Sequence, residues 1–120
     1  RSPYVAQIWV YGNSERDTLV AVVVPDPVTV LPWAKSTDLR EVCARPETEA
    51  LVIGDLNRLW AEAKLAGFER VVRVHLEPAE WTPETDLVTP TQKTKRPQML
   101  KHYRKVIDDL YTNINPPHLM

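Results

Sequence analysis

The chain has 120 residues, 43% of them hydrophobic and 26% charged, with a formal net charge of −1, which suits one globular domain with a single modest core. No apolar run approaches the roughly 20 residues of a helical membrane span, and the only cysteine, Cys43, cannot form an internal disulfide, which suits an intracellular, reducing compartment. No group of Cys, His or carboxylates has metal-ligand spacing, so no metal site is expected.

The chain begins at Arg1, and RSPYVAQIWV lacks the layout of a signal peptide, so a piece cut from something larger is expected. VAQIWVYG (5–12) and TLVAVVVP (18–25) are rich in β-branched and aromatic residues and are separated by GNSERD, which predicts a hairpin. The second strand is apolar at nearly every position, so it should be central and covered on both faces, and Pro25 should end it.

A short helical stretch is predicted around Pro32 and Trp33, and another over DLREVCAR with Asp38 as its N-cap. A longer helix follows, because Val52, Leu56, Leu59, Trp60 and Ala63 fall on one face. Glu47 and Glu49 suit its N-terminal end, Lys64 its C-terminal end, and Gly67 its termination. RVVRVHLEP (70–78) predicts a third strand, followed by a loop containing Trp81, Pro83 and Pro90.

The last helix is expected to start at Pro97 and to bury Leu100, Tyr103, Ile107, Leu110 and Tyr111. Its other face would show Lys101, Arg104, Lys105 and Asp108. Residues 1–112 would form the domain, and 113–120 a poorly ordered tail. The element order predicts an α+β fold: a small two-layer domain in which a β-hairpin and a further strand make a small mixed sheet packed against two or three helices.

Charge is unevenly distributed. Residues 1–86 hold 9 Lys/Arg against 14 Asp/Glu, whereas residues 87–120 hold 6 against 2. From Leu87 to Ile107 there is no acid. Such a segment is either a solvated face or a site for a phosphate or carboxylate ligand. Pairing of Arg104 with Asp108 and of Lys105 with Asp109 at i, i+4 would favour the first. Neither a Walker-type nor a dinucleotide-type glycine motif is present, and three glycines leave little for a phosphate-cradling loop. His75 reads as a strand residue, and Cys43 as a half-buried helix residue with no cation or histidine adjoining it in sequence.

TPTQKTKRPQMLKHY (89–103), together with SPYVAQIWVYG and LVAVVVP, resembles the C-terminal domain of long-chain fatty-acid CoA ligases, members of the adenylate-forming superfamily. The resemblance covers nearly the whole chain and rests on two separated motifs in the right order. It implies that Lys93 is the adenylation lysine, reaching into a cleft shared with a larger N-terminal adenylation domain and contacting the fatty-acid carboxylate and the α-phosphate of ATP. Lys95 is the competing candidate one register away.

The resemblance further implies that Lys95, Arg96, Lys101 and Arg104 are candidates for phosphates of CoA or ATP. ATP, Mg²⁺ and the long-chain fatty acid would be held mainly by the N-terminal domain, with CoA as the second substrate, and this domain alone would be inactive. Rotation of the domain after adenylation would withdraw the lysine and present another face for CoA attack. No nucleic-acid partner is expected. A peripheral association of the intact enzyme with an ER, plastid or peroxisomal membrane is left open.

The chain departs from the family pattern at Gln92, where an aromatic residue is usual, at Thr94, and at Glu15, Arg16 and Asp17 in the hairpin turn. Two other classes fit the basic segment: a small phosphate- or nucleic-acid-binding module, and a catalytically degenerate interaction domain of the same fold. Tight, steeply salt-dependent binding to nonspecific DNA would mark the nucleic-acid module.

Overall fold

The computed structural model describes residues 3–12, 18–62 and 70–112. Strand β1 (Val5–Gly12) pairs antiparallel with strand β2 (Thr18–Pro25), and strand β3 (Arg70–Leu76) runs parallel to β2 on its other side, giving the order β1-β2-β3. β2 is central, as its apolar run requires, and is buried from Val20 to Pro25. A parallel pair needs a crossover rather than a tight turn. Helices α1 (Pro27–Ala34), α2 (Leu39–Cys43) and α3 (Pro46–Glu62) lie within that crossover.

The short helices have local causes. Asp26 caps α1 by accepting a hydrogen bond from the Val28 N–H at 2.9 Å, with Pro27 pre-set for the first helical position. Lys35, at φ 55°, turns the chain out of that helix. Asp38 caps α2 as expected, accepting from the Glu41 N–H at 3.4 Å.

Residues alternate across the sheet and sort the core into two clusters. Val20, Val22 and Val24, with Trp9, meet helix α4 (Arg96–Thr112) and the segment holding Trp81, Leu87 and Val88. Ala21 and Val23, with Val71, Val74 and Leu76, meet Val52 and Leu56 of α3. The α+β class and the mixed sheet are as expected. The helices divide between the two faces, because a strand apolar on both sides needs cover on both.

Two side chains of α3 occupy backbone groups of β3. Asn57 accepts from the Val71 N–H at 3.1 Å and donates to the Val71 carbonyl at 3.0 Å, copying a strand partner. Glu49 accepts from the Val74 N–H at 2.9 Å while its carboxylate also holds Arg73 at 2.6 Å.

α4 begins at Arg96, so Pro97 is its second residue rather than its first. The Lys95 carbonyl already accepts the Met99 N–H at 2.8 Å, and a proline costs nothing in the first turn, where the N–H groups have no helical acceptor. Tyr103, Ile107, Leu110 and Tyr111 are buried as the spacing predicts, and Lys101, Arg104, Lys105 and Asp108 are exposed. The helix bends at Tyr103, where φ is −107° and ψ 15°. Among the described residues no helix is long and apolar enough to cross a membrane. The expectations for the 13–17 turn, Trp60, Ala63, Lys64, Gly67 and the tail beyond residue 112 lie outside the described residues or side chains.

Candidate functional site

The basic segment is positioned by apolar residues on its N-terminal side. Trp81, at 2% exposure, is packed against Tyr103 with ring centroids 6.2 Å apart. Its indole N–H donates to the Tyr103 hydroxyl at 2.8 Å, and that hydroxyl donates to Glu77 Oε1 at 2.9 Å. Burial, the largest cause, pushes the Tyr103 phenol well above its usual range, so it stays a neutral donor. Tyr103→Phe would leave the buried indole N–H without its acceptor. It should cost about 1–2 kcal/mol, seen as a lower urea midpoint with an unchanged slope.

Leu87 and Val88 are buried beneath α4, and there the chain reverses. The stretch expected as a loop is a closed turn. Val88 bridges Thr94 in antiparallel fashion, the Lys95 N–H donates to the Leu87 carbonyl at 2.8 Å, and the Thr89 N–H to the Lys93 carbonyl at 2.8 Å. The Gln92 N–H closes Thr89-Pro90-Thr91-Gln92 onto the Thr89 carbonyl at 2.8 Å, with Pro90 at the second turn position, where its fixed φ fits. Gln92 follows at φ 70° in the left-handed region, the pattern of a three-residue hairpin connection with a bulge. Thr89 Oγ1 takes up the Lys93 N–H at 3.1 Å. Thr94, a departure from the family pattern, is half-buried opposite Val88 and completes the pairing.

The cations of this segment do different things. Lys95 Nζ is 2.6 Å from Asp86 Oδ1, an ion pair with the carboxylate largely in solvent. The Arg96 guanidinium lies over the Tyr11 ring at 5.7 Å from its centroid. Lys105 is 4.0 Å from Asp109, whereas Arg104 is not paired with Asp108 among the described residues. Lys101 lines an open depression of about 700 Å³ with Asp86, Leu87, Pro97, Gln98 and His102. Lys93 is exposed, and among the described residues its ammonium makes no ion pair or hydrogen bond. Lys93 thus differs from Lys95 and Arg96, which are already engaged.

The other titratable candidates are inert by environment. The Cys43 thiol is pushed up to about 11, first by burial and then by the charge of Glu77. At pH 8 iodoacetamide should alkylate it about 100-fold more slowly than an unperturbed thiol, which mass spectrometry of a timed reaction would measure. His75 is held below its usual range, first by burial, and its ring faces Tyr103 at 6.3 Å. Among the described residues no three His, Cys or carboxylate side chains group to hold a metal ion.

Sequence reasoning missed the side chains that hold the turn. Gln7 and Gln92 meet across 85 residues, Nε2 to Oε1 at 3.0 Å, and Gln7 also grips both polar groups of the Trp81 backbone. A glutamine in a strand has no signature that would disclose such contacts. Pro90 between two threonines, following the apolar Leu87-Val88, was the one legible sign of the turn.

A fold of this shape occurs in adenylation domains. The chain superposes on the A-PCP didomain of carboxylic acid reductase from Segniliparus rugosus, solved in complex with AMP, with a TM-score of 0.77 and 32% identity, over 92% of this chain and 14% of that one. The adenylation domain of the carboxylate reductase from Mycobacterium chelonae gives a TM-score of 0.77 at 35% identity, over 93% of this chain and 16% of that one. This domain is therefore one of those found in adenylate-forming enzymes.

Sequence relatives narrow the class. The chain is 44% identical over 111 residues to long chain acyl-CoA synthetase 3 of Arabidopsis thaliana, covering 89% of this chain and 17% of that protein. It is 36% identical over 118 residues to long-chain-fatty-acid–CoA ligase 1 of Homo sapiens, covering 95% of this chain and 17% of that protein. The chain is homologous to a domain of the long-chain acyl-CoA synthetases. It spans about one sixth of the length of these curated relatives. No protein-family model matches it.

Proposed function

We propose that the chain is the C-terminal, mobile domain of an ATP-dependent long-chain fatty-acid CoA ligase, and that Lys93 is its adenylation lysine. The observation that carries this reading is an ammonium without a partner among the described residues, next to the left-handed residue of a tightly bonded turn, in a chain whose neighbouring cations Lys95 and Arg96 are occupied. In the reaction a carboxylate oxygen of the fatty acid attacks the α-phosphorus of ATP, the bond to the pyrophosphate oxygen breaks, and acyl-AMP forms. Two anions must approach while negative charge builds on the phosphoryl oxygens. A flexible ammonium point charge offsets both effects.

The coenzyme A thiolate then attacks the acyl carbonyl carbon and expels AMP. Lys101 and Arg104, three residues apart on an exposed face of α4, are offered to the phosphates of that second substrate, Lys101 at the rim of the depression. On this reading the metal on the nucleotide phosphates, like the main ATP and fatty-acid pocket, is assigned to a separate N-terminal adenylation domain.

The test is the charge register. In the intact enzyme, acyl-AMP formation should be lost in Lys93→Ala and retained in Lys95→Ala, as read by ATP–pyrophosphate exchange. The reverse pattern would move the role to Lys95.

A further inference from the structure

The carboxamide of Gln7 makes three hydrogen bonds at once. Its Oε1 accepts the Trp81 N–H at 2.8 Å, and its Nε2 donates to the Trp81 carbonyl at 3.0 Å and to Gln92 Oε1 at 3.0 Å. The two bonds to a single backbone residue fix which end of the amide is nitrogen, since turning it over would set oxygen against oxygen and N–H against N–H. The remaining Nε2 proton is thereby directed at Gln92.

Both ends of this tie are anchored. Gln7 stands at an irregularity of β1, where the pairing shifts between Val5 and Gln7, and alternation puts it on the sheet face of Trp9 and Tyr11. Trp81 is held in turn by Tyr103 of α4. At the far end is Gln92, which adopts a backbone conformation that residues with a Cβ avoid and which immediately precedes Lys93.

We propose, on the adenylation role given to Lys93 above, that Gln7 and Gln92 are positioning residues for its ammonium. The amide tie holds the left-handed residue of the turn against the sheet and so fixes the direction in which the next residue leaves it. Without the tie the turn would still close on its own backbone bonds, but nothing from β1 would restrain its tip. Misplacement of a reacting-centre group by about 1 Å is enough to cost up to roughly 100-fold in rate.

Glycine separates this role from a purely local one, because it favours the left-handed conformation and deletes only the tie. In the full-length enzyme, Gln92→Gly should lower kcat for acyl-AMP formation roughly 10- to 100-fold. KM for ATP and fatty acid should change little, and thioester formation from supplied acyl-AMP should continue at the parent rate, because the interaction serves only the first transition state. Gln7→Met also removes the two bonds to the Trp81 backbone, so it should slow adenylation at least as much, and the double variant should be no slower than Gln7→Met alone, since both delete the Gln7–Gln92 contact. The proposal is overturned if Gln92→Gly adenylates at the parent rate while Lys93→Ala does not, or if both half-reactions fall equally, which is the signature of a folding defect. Normal adenylation by Lys93→Ala would instead remove the adenylation role itself, a separate failure.

Discussion

Replacing Lys93 by alanine in the intact ligase is expected to slow acyl-AMP formation by about 10²- to 10³-fold, the cost of removing one preorganised electrostatic group worth about 3–4 kcal/mol. Thioester formation from supplied acyl-AMP should be largely spared, because on the proposed mechanism the domain has by then turned the lysine away. Lys93→Arg should recover only part of the loss. A guanidinium keeps the charge but replaces a compact ammonium with a planar fork of different reach. Separate single-turnover assays of the two half-reactions measure all of this, and equal losses in both would contradict the assignment. Folding should be unaffected, since the side chain is exposed and makes no bond among the described residues.

Trp81→Ala should have the largest effect on stability, about 3–5 kcal/mol. The indole fills the space between the sheet and α4, and its removal also deprives the Tyr103 hydroxyl of a donor. For a domain whose whole stability is of the order of 5–15 kcal/mol, such a loss would leave a large unfolded fraction. Trp81→Phe should be much milder, since it keeps most of the apolar volume and forfeits one hydrogen bond. Urea titration followed by circular dichroism would rank the three proteins. The same variant should make the 89–95 turn more susceptible to trypsin after Lys93 and Lys95, because Trp81 is the post to which Gln7 and the turn are tied.

The strands were legible because their burial depends on runs of neighbouring residues. TLVAVVVP announces a central strand, and Asp38 announces a helix start through a bond that spans three positions. Lys93 was legible only through its motif. The conformation that presents it was not, because the left-handed position that usually advertises a bulged turn with glycine or asparagine is filled by Gln92. The side chain that meets Gln92 is that of Gln7, 85 residues earlier, and no local pattern encodes a contact of that range. The division of cationic labour is hidden for the same reason: in sequence Lys95 and Arg96 are indistinguishable from Lys93, and only the fold brings Asp86 beside the one and the Tyr11 ring beneath the other. The departure from the family pattern at position 92 thus coincides with a polar contact to the sheet.

The side chains of Asn57 and Glu49 along β3 bear on how such a domain could attach to a larger protein. An uncovered outer strand invites a foreign strand to zip onto it, and such a junction, once formed, is slow to release. Here the N–H and carbonyl of Val71 and the N–H of Val74 are already engaged by α3, so an intruder would first have to strip Asn57 and Glu49 away. Attachment along that margin is left to side chains, which can be made and broken repeatedly. On the proposed role, a body that swings between two stations in every turnover is better served by contacts of that kind than by a shared sheet.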